Sequence, residues 1–248
     1  MTDVHTFIGG IGDLYWHLSL VRGMYTENPS PNRKVAIVYT YLERYEKSPD
    51  TIKYFFLKTG LFNEVHVVEG GRMAFGKYGP TIGGECRYFR PGVVHKVQGD
   101  FIEYKPTQKV LPVLCVNDYY VKRSVYGSFG VPQDSWYIVV QLRSSGKDMV
   151  ASQKLIDLIP KDAWVIEMFD DSEQLKDRPK TIHIETCVPV ISLNVIKYAA
   201  TFIGIESSQF MAAMIHKVPC YYQPSGKLPD YYFKYIPNLR NSIQEVVE

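Results

Sequence analysis

The feature that most limits what this chain can fold into is an alternation that occurs twice along it. Short, β-branched apolar runs of strand length are followed, after a turn, by stretches whose apolar residues recur three and four positions apart. In the first half the strand-like runs are 4–8, 34–40 (KVAIVYT) and 64–68. The helical stretches between them are 13–26, with Leu14, Leu18, Val21 and Tyr25 on one face, and 50–59. The second half restarts with strands at 136–142 (WYIVVQL), 163–169, 181–184, 201–205 and 218–222, and helices at 148–159, 188–199 and 208–216. Strands separated by helices need crossover connections, so the sheet they make is parallel and covered on both faces.

The expected architecture is α/β, with two Rossmann-like domains facing a cleft, residues 1–125 and 126–248. Residues 70–110 break the rhythm with glycines and prolines. Their β-like pieces at 86–90 and 100–104 read as a β-rich insertion, a hairpin with long loops. Residues 110–116 read as a further buried strand and 118–135 as a linker. The stretch 229–248 is tyrosine-rich and reads as ending in a helix that packs back on the first domain.

Bulk properties narrow the class. No apolar run approaches the roughly 18–20 residues of a transmembrane helix, and the start, MTDVHTFIGG, lacks a signal peptide's basic and apolar regions. The cysteines, 86, 115, 187 and 220, form no CxxC pair, which argues against structural zinc and for a reducing compartment. A cytoplasmic location, bacterial or in a virus-infected cell, is expected. A net charge of +2 is too small to argue for nucleic acid by itself. Nothing in the sequence speaks to oligomeric state.

The stretch FIGGIGDLYWHL joins the first strand to the first helix. Its Gly10-Ile11-Gly12 is followed by Asp13-Leu14-Tyr15, so the dinucleotide fingerprint lacks its third glycine. No GK[ST] follows, which excludes a P-loop. Two readings of Asp13 stand. It is a first-turn carboxylate stabilised by the helix dipole, or it is a general base at the carboxyl end of the first strand, where open α/β sheets bind ligands. His17, one turn on, is either its partner or a packed histidine. In the second half, Glu206-Ser207-Ser208 ends a strand and starts a helix. The turn is either a cap or a phosphate cradle, with Glu206 placed to accept from sugar hydroxyls. Arg143 to Lys147 (RSSGK) follows another strand and is either a solvated loop or a site for neutralising a diphosphate.

These motifs resemble those of the bacterial ADP-heptose:lipopolysaccharide heptosyltransferases and related GT-B glycosyltransferases. Ile203-Gly204-Ile205-Glu206-Ser207-Ser208 matches the start of that family's nucleotide-sugar motif, Ala213 falls in its alanine run, and Val218-Pro219 closes it. Gly12-Asp13 matches the Gly-Asp of the family's opening motif. The chain departs where the family has Asp (Glu206 here), Gly (Ser208) and His (Met211), and it lacks the opening motif's proline. The resemblance implies a nucleotide-sugar glycosyltransferase working in the inverting mode, with Asp13 as general base. It implies no cofactor and no metal beyond the donor itself. Gly12, Arg143, Ser145, Lys147, Thr186, Glu206, Ser207 and Ser208 are the residues expected to hold that donor.

The acceptor is expected on the first domain. Residues 72–109 hold seven Lys/Arg against three acids, with six interleaved aromatics. That composition suits a polyanion whose rings can stack, or a plainly solvated hairpin face. Arg87, Arg90, Lys96 and Tyr88 are the candidate contacts. A hydroxymethylated base in viral DNA and a phosphorylated glycan core, lipopolysaccharide included, both fit. An epimerase of the two-Rossmann type and an inactive sugar- or nucleic-acid-binding GT-B protein are the alternatives, and a nicotinamide oxidoreductase is disfavoured by the missing glycine.

Overall fold

In the computed structural model the chain divides into two compact units, Met1–Cys115 and Val116–Glu248. The structure describes residues 1–40, 49–70, 82–90, 102–103, 109–113, 118–144, 147–168, 173–184, 189–224 and 243–246.

The first unit runs β1 (Thr2–Ile8), α1 (Ile11–Glu27), β2 (Arg33–Thr40), α2 (Pro49–Lys58), β3 (Glu64–Glu69), β4 (Cys86–Arg90) and β5 (Ile102–Glu103). Its sheet has the order β3-β2-β1-β4-β5, and every pairing is parallel. The pieces at 86–90 and 102–103 therefore extend the main sheet and are not a hairpin. Phe89 is buried and its ring stacks on His5 of β1 at 4.7 Å, so packing across the pair favours β4 beside the central strand. β1 is buried along its whole length, as a central strand covered on both faces must be. On one face Val4, Ile8, Ile37 and Tyr39 pack together. On the other, Phe7 meets Phe56 at 4.8 Å and Phe62 at 5.6 Å, both edge-on.

α1 is buried nearly all round because a second layer lies against it. Residues 110–113, expected in a strand, carry no strand structure. They run along α1 instead: Leu111 N–H donates to Ser19 O at 3.1 Å, and Tyr15 Oη donates to Val113 O at 3.2 Å. A Cβ on Gly23 would lie 1.7 Å from Lys109 O, so the helix needs glycine where this segment crosses it.

The second unit runs α3 (Asp118–Arg123), a π-helical turn at Ser124–Ser128, β6 (Tyr137–Gln141), β7 (Arg143–Ser144), β8 (Lys147–Val150), α4 (Gln153–Ile156), β9 (Trp164–Met168), β10 (Thr181–Ile184), α5 (Pro189–Val195), β11 (Phe202–Ile205), α6 (Ser208–His216), β12 (Cys220–Gln223) and β13 (Ile243–Glu245). Its sheet has the order β10-β9-β6-β11-β12-β13, again with parallel pairings. Three expectations are corrected here. The linker at 118–135 begins as helix, with Val121 and Val125 buried. The helix expected from 148 starts only at 153, because Lys147–Val150 pairs antiparallel with Arg143–Ser144 and Ala151 N–H donates to Leu142 O at 2.8 Å. Of the stretch 229–248, expected to end in a helix, Ile243–Glu245 form a strand beside β12 and Val246 is buried in the second unit's core, while 229–242 and 247–248 lie outside the described residues. Among the described residues no helix is long and apolar enough to cross a membrane.

Candidate functional site

Each sheet has one place where the strand order reverses. In the first unit the chain lays β2 and β3 on one side of β1 and returns to place β4 on the other. In the second it lays β9 and β10 on one side of β6 and returns to place β11 on the other. The two connections leave in opposite directions at these points, and open α/β sheets bind ligands in the crevice outside the carboxyl ends of such strands.

At the first crevice β1 ends in Gly9-Gly10 and α1 begins. Gly9 has φ +130°, and a Cβ on it would sit 2.5 Å from Asp13 Oδ2. Its N–H donates to Tyr39 O at 3.2 Å, and Thr40 Oγ1 donates to its carbonyl at 3.0 Å. The turn thus makes room for the Asp13 carboxylate. Asp13 Oδ2 accepts the Gly10 N–H at 3.1 Å, so the carboxylate caps the helix as well as standing half-exposed at the crevice. Gly12 is beside it in the first turn of α1. Arg90 closes β4 at the same edge of the sheet.

His17 is not placed with Asp13 in the crevice. It is 6% exposed, its ring lies 6.4 Å from that of Phe7, and burial pulls its pKa down to about 3. Arg87 is also elsewhere. It stands three residues before Arg90, beside Asp3 at the amino end of the sheet. Its Nε and Nη2 donate to the two Asp3 oxygens at 2.8 and 2.9 Å. Asp3 is fully buried and also accepts from Tyr25, Ser30 and Asn32. Burial alone would raise its pKa, but the hydrogen bonds from Asn32, Arg87, Ser30 and Tyr25 together hold it below the usual carboxylate value. Arg87 is therefore the counter-charge of a buried carboxylate. A cavity of about 470 Å³ opens beside this network, lined by Asp3, Tyr25, Ser30, Asn32, Arg87 and Phe89 among others, and it does not reach Asp13. Tyr88 is exposed, and Lys96 lies outside the described residues.

The second crevice is built by β6 and β11. Gln141 and Gly204 are register partners at its base. A Cβ on Gly204 would approach Gln141 O to 2.5 Å, so the strand must have glycine there. Beyond it Ser207, in extended conformation, caps α6: its Oγ accepts the Phe210 N–H at 3.1 Å. Ser208 Oγ donates to Gln209 Oε1 at 2.7 Å. Glu206 is half-buried, with its N–H bonded to Gln223 O at 3.2 Å. The capping reading of this turn is thus realised in Ser207. Arg143 leaves β6 exposed on the β7–β8 ribbon, whose register sets Ser144 against Lys147. Both basic residues of the RSSGK stretch therefore belong to a ribbon rooted at the carboxyl end of β6. Ser145 and Thr186 lie outside the described residues. Met211, at the family's histidine position, is buried. Among the described residues no group of three His, Cys, Asp or Glu could hold a metal ion.

Sequence reasoning missed Gln141 and the Asp3–Arg87 network. The signal for the second was present: an aspartate in an otherwise apolar strand has to be paired.

No protein-family model matches the sequence, and no curated protein does. Solved structures do match. A family 9 glycosyl transferase from Veillonella parvula superposes with TM-score 0.62 at 10% identity, over 99% of this chain and 86% of that one. Escherichia coli ADP-heptose lps heptosyltransferase II gives 0.60 at 11% identity, over 99% and 90%. E. coli heptosyltransferase WaaC with ADP gives 0.51 at 9%, over 93% and 89%. At such identities likeness establishes the fold, and the fold of this chain is the parallel α/β fold of heptosyltransferases and related GT-B glycosyltransferases.

Proposed function

We propose that the protein is a glycosyltransferase that moves a sugar from a nucleoside-diphosphate donor to an acceptor hydroxyl. The observation that carries this is the second crevice: a serine-capped helix start, a glycine that lets two strands close together, and an arginine ribbon, all at the switch point of a glycosyltransferase-like sheet. Backbone N–H groups at a helix start favour phosphate oxygens, and Arg143 and Lys147 neutralise charge on the leaving diphosphate without a metal. Asp13 takes the acceptor's proton. The acceptor oxygen bonds to the anomeric carbon as the bond from that carbon to the diphosphate oxygen breaks, which inverts the centre in a single displacement.

A polyanionic acceptor rests on the composition of 72–109. With Arg87 committed to Asp3, the reading now falls on Arg90, Lys96 and Tyr88. Hydroxymethylated duplex DNA and a phosphorylated glycan core are the two acceptors to compare, and reversing the charge at Arg90 and Lys96 together should suppress transfer to whichever is used. Unchanged transfer would remove the polyanion reading.

The test of the whole is a thermal-shift panel of ADP, UDP, GDP and CDP with their sugar conjugates, ADP-heptose included, followed by transfer assays. A ligand at about 100 times its dissociation constant adds roughly 2.7 kcal/mol of stability, several degrees for a chain of this size. Asp13→Asn should keep that shift and lose transfer by on the order of a hundredfold or more. Binding without transfer by the wild-type chain would make it a binding module instead.

A further inference from the structure

Gln141 is the last residue of β6 and is 2% exposed. Its Nε2 donates to Arg143 O at 3.2 Å, which fixes the orientation of the amide. Its Oε1 is buried and receives no hydrogen bond from any described residue. A buried acceptor without a donor is costly, and native proteins rarely keep one without a use. The side chain's place narrows that use. Strand alternation sets Gln141 on the same face as Val139, and Val139 is the register partner of Phe202. Phe202 packs on Phe210 of α6, with ring centroids 6.2 Å apart. Gln141 therefore lies on the α6 side of the sheet, at its carboxyl edge, one strand from the Glu206-Ser207-Ser208 turn.

We propose that Gln141 is a donor-selecting residue of this crevice, whose Oε1 accepts a hydrogen bond from a hydroxyl of the nucleotide sugar. The inference rests on the donor-site reading above and adds a substrate group to it. An acceptor oxygen whose amide cannot flip repels phosphate and carboxylate oxygens and demands an O–H or N–H. Neighbouring strands are about 4.8 Å apart, so a group meeting Gln141 while the diphosphate sits at the α6 start is covalently next to that diphosphate. Only two such groups carry hydroxyls, the ribose on one side and the transferred sugar on the other.

The test replaces the amide with an apolar side chain of similar length, Gln141→Met, with Gln141→Leu as the second variant. Arg143 is exposed, so its carbonyl can turn to water. Thermal unfolding is measured without ligand, and titration calorimetry with ADP, UDP, ADP-glucose and UDP-glucose. The expected result is an unfolding temperature equal to or above that of the wild type, with binding of the responding nucleotide sugar weakened on the order of tenfold. Equal weakening for the sugar-free diphosphate assigns the hydroxyl to the ribose, and weakening for the conjugate alone assigns it to the sugar. Wild-type affinity in both variants overturns the role of Gln141 and leaves the donor site standing. So does a fall of several degrees in unfolding temperature in both, or failure of both to fold, since either marks Gln141 as structural. No binding by the wild type of these four probes or of GDP, CDP and their sugar conjugates overturns the donor-site reading, and this inference with it.

Discussion

Gly9 and Asp13 are fitted to each other, and neither residue explains the turn alone. The glycine's φ of +130° lies where L side chains are strained, and the space its missing Cβ would take is filled by the Asp13 carboxylate. Gly9→Ala should therefore cost about 2–3 kcal/mol from backbone strain and the displaced carboxylate. Urea unfolding measures this, and a loss under 0.5 kcal/mol would show that the turn relaxes easily. With Asp13 as the proposed general base, the same variant should lower transfer more than it lowers donor binding, because the proposed donor turn belongs to the other unit. At Gly204 the constraint is of another kind. Its backbone conformation is ordinary, and the close approach of the Gln141 backbone and the Phe202 ring excludes a side chain.

At the scale of elements, the cap of α6 stands at the proposed diphosphate position, so the two roles can be separated by substitution. Ser207 Oγ satisfies the Phe210 N–H, one of the donors that a helix start leaves open. The helix ends at Lys217, which is in the left-handed conformation (φ 60°), with the Val218 N–H bonded to Ala213 O at 2.9 Å. Ser207→Ala should destabilise the chain by about 1 kcal/mol. Ser207→Asp keeps a cap and should retain stability, yet it brings a negative charge to the proposed diphosphate position. Stability from urea unfolding and nucleotide affinity should therefore separate: Ala lowers the first, Asp the second. An Asp variant that binds nucleotide as well as the wild type would move the diphosphate away from α6.

At the scale of the whole molecule, buried imidazoles should make stability fall with falling pH. Burial lowers the His17 pKa from 6.5 to about 3. His5 is lowered to about 3 as well, first by burial and further by Lys34 and Arg87, against the opposing pull of Asp3. In the unfolded chain both imidazoles take up a proton near pH 6.5, and in the folded chain only near pH 3. Between those values the unfolded state binds more protons, so stability falls as pH falls, on the order of 1 kcal/mol per pH unit for each histidine. Asp3 acts in the same direction lower down, since its lowered pKa contributes stability that is lost as the carboxylate protonates. Urea midpoints at pH 7.5 and 5 should differ clearly, and His17→Phe should remove about half of the slope. Equal midpoints would show that these imidazoles are not held neutral in the fold.

The period of the apolar residues determined most of the fold by itself. Buried strands such as 34–40 and helices such as 11–27 depend on residues close in sequence, and their alternation left only a parallel sheet. The Gly-Asp turn and the Glu-Ser-Ser turn were legible because a strand end meeting a helix start is a local event. What the sequence could not determine were contacts between distant segments. Whether 110–113 pairs in a sheet or lies on α1 depends on Gly23 leaving room for it. Whether Arg87 meets an acceptor or a buried Asp3 depends on β4 being laid beside β1. Strand order decided the second, and it also set Gln141 beside Gly204 at the switch point. Register between strands is set by which faces are covered, and that is known only once the whole sheet has been assembled.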